Sequence, residues 1–483
     1  MAKQFIVAVE LGSSKMTGIA GTKNVDGSIT ILAVEQENAS SCIRRGVVYN
    51  TDKTILALSN IIKRLKMALK TEITQVYVGV GGQSILGKQN VIVREFETEE
   101  KVTQDMVNQL MDSNRSMEYY DQEILDAITQ EYKVDHQNLL DPVGIQCTRL
   151  EGHFLNILWR HSFYQKLNQC LENVIGIADL YIAPLVLAES VLTEAERRSG
   201  CVLVDLGAET TTVSVYHKNI LRHLSVIPLG CRNITKDIMS LQMEEEEAEA
   251  MKRKYGSAFT SVEAIDEKLE LPIDAERRVK NTKFIEIIEG RVNEIIQNVR
   301  FQVESQKYDI DKLLGGIVLT GGGSNMKNIE VAFRHNINVE KIRIARFVTQ
   351  TITSSNTDMI PHNGELNTVL GLLAKGNENC AGKPLSDDLF ANEETPPIVE
   401  GVHKVRNIEE TAGTGIVLTA AEKQRQKDEA ERKREEAENE KQKKDEKKDE
   451  KKKSGVFGKL ISGIKSFGQT LIQGENESEE EQS

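Results

Sequence analysis

Aromatic residues are scarce: Phe, Tyr and Trp make up 5% of the 483 residues, with a single Trp. A protein that grips single strands of nucleic acid by stacking bases needs more of them. Basic residues are in deficit too, 61 Lys and Arg against 74 Asp and Glu, for a net charge of −13. That balance argues against a nucleic-acid partner and, averaged over the chain, against an anionic membrane surface. The six cysteines (Cys42, Cys147, Cys170, Cys201, Cys231, Cys380) lie far apart and form no CxxC pair. Neither a zinc ribbon nor a disulfide framework is expected, and a reducing compartment is. The opening MAKQFIVAVELGSS lacks the charged-then-apolar pattern of a signal peptide, and no run approaches the ~18 apolar residues of a spanning helix. The expectation is a soluble cytoplasmic protein, with room for roughly three domains.

What is present begins with an internal echo. Phe5–Gly21 reads FIVAVELGSSKMTGIAG and Gly200–Tyr216 reads GCVLVDLGAETTTVSVY. At an offset of 195, Glu10 falls on Asp205, Gly12 on Gly207 and Lys15 on Thr210. Each echo is a β-rich strand, a turn of Gly and small polar residues, and a second strand. A third strand follows in each, ITILAVEQ from Ile29 and ILRHLSVIPLG from Ile220. Two such meanders opening equivalent halves predict a duplicated α/β architecture with a cleft between the halves.

The turns have a specific chemical use. Glycine removes the Cβ, so backbone N–H groups can converge on an oxyanion. Gly12, Gly207 and Ala208 supply that bare backbone, the hydroxyls of Ser13, Ser14, Thr210 and Thr211 can donate further bonds, and Lys15 offers a point charge. The strand-terminal carboxylates of Glu10 and Asp205 would repel phosphate. They suit Mg²⁺ held through water, because that ion dehydrates reluctantly and bridges carboxylates to phosphates. Either turn alone reads more readily as an ordinary glycine hairpin; two in matching register favour the phosphate reading. A third element, LLGGIVLTGGGSN over Leu313–Asn325, runs an apolar strand into Gly321, Gly322, Gly323 and Ser324. Bare backbone there would let an adenine ring and its ribose lie close.

Together the three elements resemble the ATPase signature of the actin-like superfamily, which includes heat-shock chaperones and sugar kinases. Within it the chain resembles the FtsA family of bacterial cell-division proteins over about Phe5–Lys375 plus a C-terminal helix. The pieces that carry the likeness are Ile227–Gly230 (I-P-x-G), Ile234–Ile238 (I-T-x-D-I) and Ala248–Gly256 (A-E-x-x-K-x-x-Y-G). The resemblance implies ATP with Mg²⁺ as ligands and places Glu249 and Lys252 at the ribose edge. Read from the residues alone, MEEEEAEAMKRKYG is a helix with its acidic residues first, as the macrodipole favours.

The implied fold class is α/β, an actin-like two-domain fold of duplicated ribonuclease-H-like halves. Domain I takes residues 1–84 and 161–198, and an inserted IC-type subdomain takes 85–160, with an acidic helix near Glu97–Gln109. Domain II takes 199–375, with about 240–312 as its small subdomain. A disordered charged linker (376–453), an amphipathic helix (454–473) and an acidic tail (474–483) follow. Family members use the insertion for polymer contacts and for meeting later division proteins. They bind the C-terminal peptide of the tubulin-like division protein FtsZ on the small subdomain. The matching helix here is Phe284–Ser305. Its apolar positions Ile285, Ile288, Val292, Ile295, Ile296 and Val299 should face inward, leaving Arg291, Asn298 and Arg300 to meet an acidic peptide or simply solvent.

Two departures bear on hydrolysis. The first turn opens with Glu10 where the superfamily usually has Asp. In LYIAPLVLAES, Ala183 stands before Pro184 where several relatives place a Glu or Gln that orients the attacking water. Positioning that water is a main contribution of protein to phosphoryl transfer, so nucleotide binding with slow hydrolysis at most is expected. Asp205 is the remaining candidate to organise magnesium or water.

The tail explains the charge. Residues 422–453 hold 14 basic and 12 acidic side chains and too little apolar surface to fold. Then Val456, Phe457, Leu460, Ile461, Ile464, Phe467, Leu471 and Ile472 recur at helical spacing, with Lys459 and Lys465 on the other side. Such a helix lies in a membrane interface; folding back on the core or binding a partner are its other uses. From Lys441 to Lys465 ten lysines face four acids, an attraction of roughly 1 kcal/mol per basic residue near an anionic leaflet. The net −13 therefore belongs almost wholly to the globular body. The reading is a scaffold on the inner face of the cell membrane at the division septum, with FtsZ, later division proteins, anionic lipid and further copies of itself in a filament as partners. A pilus-assembly adaptor of the PilM kind, a plasmid-segregating filament or a sugar or acetate kinase shares the fold, but none needs the terminal helix.

Overall fold

The strand IVAVEL (β1, Ile6–Leu11) is buried on both faces until its last two residues, as expected of a strand at the centre of a sheet. In this computed structural model, which describes residues 4–384 apart from 84, 307, 309, 357 and 358, then 413–418, 428 and 432, β1 pairs antiparallel with β2 (Lys15–Lys23). In turn β2 pairs antiparallel with β3 (Ile29–Asn38). Helix α1 (Thr51–Leu69), capped by the Asn50 side chain, crosses back to β4 (Gln75–Val80), which lies parallel to β1 on its other side. A long excursion follows: β5 (Leu86–Lys101), α2 (Gln104–Arg115), β6 (Gln122–Val134) and β7 (Gln146–Arg160). Helix α3 (His161–Glu172) returns the chain to β8 (Gly176–Ile182), parallel to β4. Helix α4 (Ala183–Val191) then starts with Pro184 in its first turn, where a missing N–H costs nothing.

The second half repeats the plan. Strand β9 (Cys201–Leu206) pairs antiparallel with β10 (Thr211–His217), which pairs with β11 (Ile220–Ile227). Helices α5 (Cys231–Met239), α6 (Glu245–Tyr255) and α7 (Asn281–Glu304) follow. The parallel strand β12 (Gly316–Thr320) next lies beside β9. Then come α8 (Ile329–Ile337), β13 (Ile342–Ile344) parallel to β12, and α9 (Asn367–Lys375). Both halves thus show one strand order, β3-β2-β1-β4-β8 and β11-β10-β9-β12-β13. The register repeats as well. The pairs Ile6↔Gly21 to Leu11↔Met16 become Cys201↔Tyr216 to Leu206↔Thr211, each shifted by the offset of 195. A duplication visible as a spacing in the sequence is here a duplication of hydrogen bonds.

The larger apolar core fills the first half and reaches the second-half strands through Cys201, Leu203, Leu224 and Val318. Another lies within the second half, and a small third one of Val102, Val107, Leu110, Tyr132, Val134, Cys147, Leu150 and Phe154 lies in the insertion. The insertion's sheet (β6-β7-β5) continues the sheet of the second half through a single pair, Ser225↔Leu86. Helix α9 covers β1, β2 and β4 and packs against α4, with Gly371 close against Ser190.

Three sequence expectations are corrected. Glu97–Lys101 lie in β5, and the helix begins at Gln104. Alternation of Phe96 and Val102 inward with glutamates outward is a strand period, and Thr103 supplies the cap. On α7, Phe284 takes the inward place expected of Ile285, which is half-buried. Last, the linker does not begin at Gly376. Gly376 closes on Tyr77, Cys380 is buried, and β14 (Ala381–Pro384) pairs with Thr71–Ile73. Farther on, β15 (Ile416–Val417) pairs antiparallel with β8, and the buried Asp126 carboxylate accepts the backbone N–H groups of Gly413 (3.0 Å) and Gly415 (3.2 Å). Composition averaged these short apolar pieces into their polar surroundings. The charged stretch, apart from residues 428 and 432, and the amphipathic segment Val456–Ile472 lie outside the described residues. Among the described residues no helix is long and apolar enough to cross a membrane.

Candidate functional site

The duplicated hairpins bring their strand-terminal carboxylates into one cleft. Burial pushes Glu10 up to about 8, and the facing charge of Asp205 adds to the rise; the Thr368 side chain and the Val369 backbone N–H, at the start of α9, pull the other way. Asp205 is pushed up to about 6 by burial. Each still keeps part of its surface open. The charge that Glu10 meets is thus a second carboxylate, and a divalent cation between them would relieve both. Among the described residues no group of three or more His, Cys, Asp or Glu could hold a metal. Two carboxylates are what an ion held chiefly by water and phosphate needs, so the donor set fits Mg²⁺.

The turns are built as cradles. A Cβ on Gly12 would stand 2.6 Å from the Lys15 carbonyl, and one on Gly207 2.8 Å from that of Thr210. The start of α5 closes on the second turn: Cys231 N–H donates to the Gly207 carbonyl (3.0 Å) and Arg232 N–H to that of Ala208 (2.7 Å). Gly321, at φ 80°, brings the triple-glycine segment against Leu206 and the Asp205 carboxylate, and Gly323 lies against Cys231. Any side chain at Gly321 would collide with that carboxylate, so the three sequence elements converge on one spot.

The hydroxyls divide. Thr211 is fully buried and donates to the Leu229 carbonyl (2.9 Å); Ser324 donates to that of Gly321 (2.7 Å). Both are committed to holding the turns. Ser13 accepts from the Gly46 N–H (2.8 Å), which leaves its own proton to donate. Ser14 and Lys15 are exposed and Thr210 half-buried, with the Lys15 ammonium 3.4 Å from Glu365 at the surface. Glu249 and Lys252 join each other (2.6 Å) and tie α6 to α5: Lys252 donates to Thr235 (2.8 Å) and to the Cys231 carbonyl (3.1 Å). These bonds hold Glu249 down at about 2 against its burial. The pair stands beside the residue that Gly323 touches, braced rather than free.

On α7, each residue offered to a peptide already has a partner. Arg291 clamps Asp237 of α5 (2.6 Å) and pairs with Glu294, Arg300 pairs with Glu304 (2.7 Å), and Asn298 donates to the Glu294 carbonyl (2.8 Å). Ala183, at the start of α4, faces Gly81 and offers no group to orient water. Sequence reasoning passed over Glu209, which belongs to the second turn and accepts the Arg45 N–H (2.7 Å) from the other half. The signal was available: a carboxylate inside a turn expected to hold an anion is out of place unless something neutralises it.

Comparison with known proteins bears on the family and the fold. The family model described as cell division protein FtsA matches residues 202–371, and that of the SHS2 domain inserted in FtsA matches 82–158. The chain is 32% identical over 337 residues to the cell division protein FtsA of Neisseria meningitidis, covering 68% of this chain and 80% of that one. It is 28% identical over 382 residues to that of Porphyromonas gingivalis, covering 77% and 78%. A protein of the PilM–PilN type IV pilus biogenesis complex shares the fold, with a TM-score of 0.52 at 15% identity over 76% of this chain and 97% of its own. That likeness shows an actin-like architecture alone, whereas the sequence relatives and both family models settle on one group. The chain belongs to the FtsA family of bacterial cell division proteins.

Proposed function

We propose that this cell-division protein binds ATP with Mg²⁺ in the cleft between its halves, assembles into an actin-like filament and tethers FtsZ to the inner face of the cell membrane. The observation that carries the nucleotide reading is the facing pair Glu10 and Asp205, two half-buried carboxylates raised by burial, with three glycine-bearing segments around them. Glu10 and Asp205 would hold Mg²⁺, whose charge would offset that of the nucleotide phosphates. Gly12, Ser13, Ser14, Lys15, Gly207, Ala208 and Thr210 would line the phosphates, and Gly321–Gly323 the adenosine. Thr211 and Ser324 would support the turns from behind; Glu249 and Lys252 would fix the ribose edge as a pair. With Ala183 where a water-orienting group would stand, hydrolysis is slow.

The division of the chain into two halves, an insertion between 85 and 160, a small subdomain near 240–312, a linker and a terminal helix is part of the same reading. Membrane attachment is assigned to Val456, Phe457, Leu460, Ile461, Ile464, Phe467, Leu471 and Ile472 with Lys459 and Lys465, by their helical period and local positive charge. One copy binds weakly and a filament of copies strongly, through avidity. The acidic FtsZ peptide meets α7 at Arg300 and Asn298. Arg291, more buried than Arg300 and paired with both Asp237 and Glu294, contributes less. Later division proteins meet the insertion.

The test is co-sedimentation with anionic liposomes, with and without FtsZ peptide and ATP. Deleting residues 454–473 should leave the protein in the supernatant and leave peptide binding intact. Unchanged pelleting of the deletion would overturn the anchor assignment.

A further inference from the structure

Glu209 is the second half's counterpart of Ser14 at the offset of 195, so a charged side chain stands where the first turn carries a small hydroxyl. Beside triphosphate an uncompensated carboxylate would repel the ligand. Here it is compensated on both oxygens. Oε1 meets Arg232 (3.3 Å), whose Nε in turn holds Glu245 (2.7 Å), and Oε2 accepts the backbone N–H of Arg45 (2.7 Å).

Arg45 belongs to the other half, in the loop behind the first turn. The same loop is bonded to that turn, since Gly46 N–H donates to Ser13 Oγ (2.8 Å). It is also held from behind. The Arg45 carbonyl accepts from Gln83 N–H (2.9 Å), its guanidinium reaches Gln83 Oε1 (3.1 Å), and Gly82 packs on Gly46. Arg45 sits at φ 49°, a left-handed conformation costly for a residue with a side chain, so its bonds keep the amide aimed at Glu209. The chain of contacts runs Ser13, Gly46, Arg45, Glu209, Arg232, from one phosphate turn to the other and on to α5.

We propose that Glu209 is a positioning residue that clasps the two phosphate turns together and sets how fast the cleft opens to exchange nucleotide. This rests on the nucleotide reading above. For nucleotide to leave, the halves must part. Parting breaks a hydrogen bond to a charged acceptor, the stronger kind, and uncovers a carboxylate half-neutralised by Arg232. The clasp needs no nucleotide to form, so it holds the turns near their binding positions in the free chain and slows both entry and release.

The experiment uses the full chain with Glu209→Gly, which supplies the bare turn, and Glu209→Gln, which keeps an oxygen for Arg45 but loses the ion pair. Hydrogen exchange at the Arg45 amide is measured without nucleotide, and dissociation of a fluorescent ATP analogue with Mg²⁺ is followed by stopped flow. Glu209→Gly should quicken both by about tenfold or more, with Glu209→Gln between it and the unaltered chain and thermal stability little changed. Unchanged Arg45 exchange overturns the clasp. Quickened exchange with unchanged dissociation overturns its control over nucleotide. If the unaltered chain binds no analogue while Glu209→Gly still quickens Arg45 exchange, the nucleotide reading has failed and the gating role falls with it, separately from the contact itself.

Discussion

Replacing Glu10 by Gln tests the cleft through its charge. In the folded chain the carboxyl is raised to about 8, against an ordinary value of 4.5. A raised acid favours the folded state while it holds its proton. Its contribution is intact below pH 4.5 and is lost as pH climbs through 8, because the unfolded chain ionises freely and the folded one does not. The full rise would be worth about 5 kcal/mol at about 1.4 kcal/mol per pH unit. Glu10 keeps part of its surface open to the cleft, so about 2 kcal/mol by pH 8 is the expected loss. The side-chain amide of the Glu10→Gln variant carries no charge and escapes it. Nucleotide-free Glu10→Gln should therefore melt some 2–4 °C above the unaltered chain at pH 8 and level with it at pH 5. With Mg²⁺ and ATP the order reverses. The unaltered chain gains a stabilisation that grows from pH 6 to 8, as both carboxylates are freed for the cation, and Glu10→Gln gains little at any pH. Thermal unfolding in EDTA and in Mg²⁺–ATP across this range measures both. A pH-independent difference between the two proteins, or a lower melting point for nucleotide-free Glu10→Gln at pH 8, would refute the reasoning.

Two more perturbations follow from the same structure. Ala183→Glu returns a carboxylate to the start of α4, before Pro184, and should raise ATP hydrolysis about tenfold or more, read by phosphate release; an unchanged rate would show that water orientation is not what limits turnover. Gly415→Val places a β-branched residue at φ 76° against Leu185 and should release the strand β15 from β8 at a cost of about 2 kcal/mol, seen as faster hydrogen exchange at Ile182 N–H, which donates to the Gly415 carbonyl at 2.6 Å. Protection retained at Ile182 would mean that the pairing does not depend on the glycine.

Much was legible because it is local. The hairpin at Glu10–Lys15 and its echo at Asp205–Thr210 declare themselves by strand-forming runs broken by glycine, and the equal offset carries through to every paired residue. Helix α6 follows from its acidic start and basic end, Glu245 to Lys254. What failed also had a local cause. The stretch Glu97–Lys101 looks helical by charge but alternates like a strand. Cys380 and Ile416–Val417 are too short to rise above a polar average. Arg291 looks free until Asp237, 54 residues away, is seen against it.

The order of residues alone determined the duplication, the three glycine segments and the family, because each is written in spacing and residue type within a few tens of positions. Only the tertiary structure decided which groups those segments turn on one another. It set Glu10 against Asp205, spent Thr211 and Ser324 on backbone carbonyls, and tied Glu209 to an amide 164 residues earlier. A carboxylate's proton affinity and a hydroxyl's availability depend on what stands within a few ångströms after folding, and the linear chain does not record that distance.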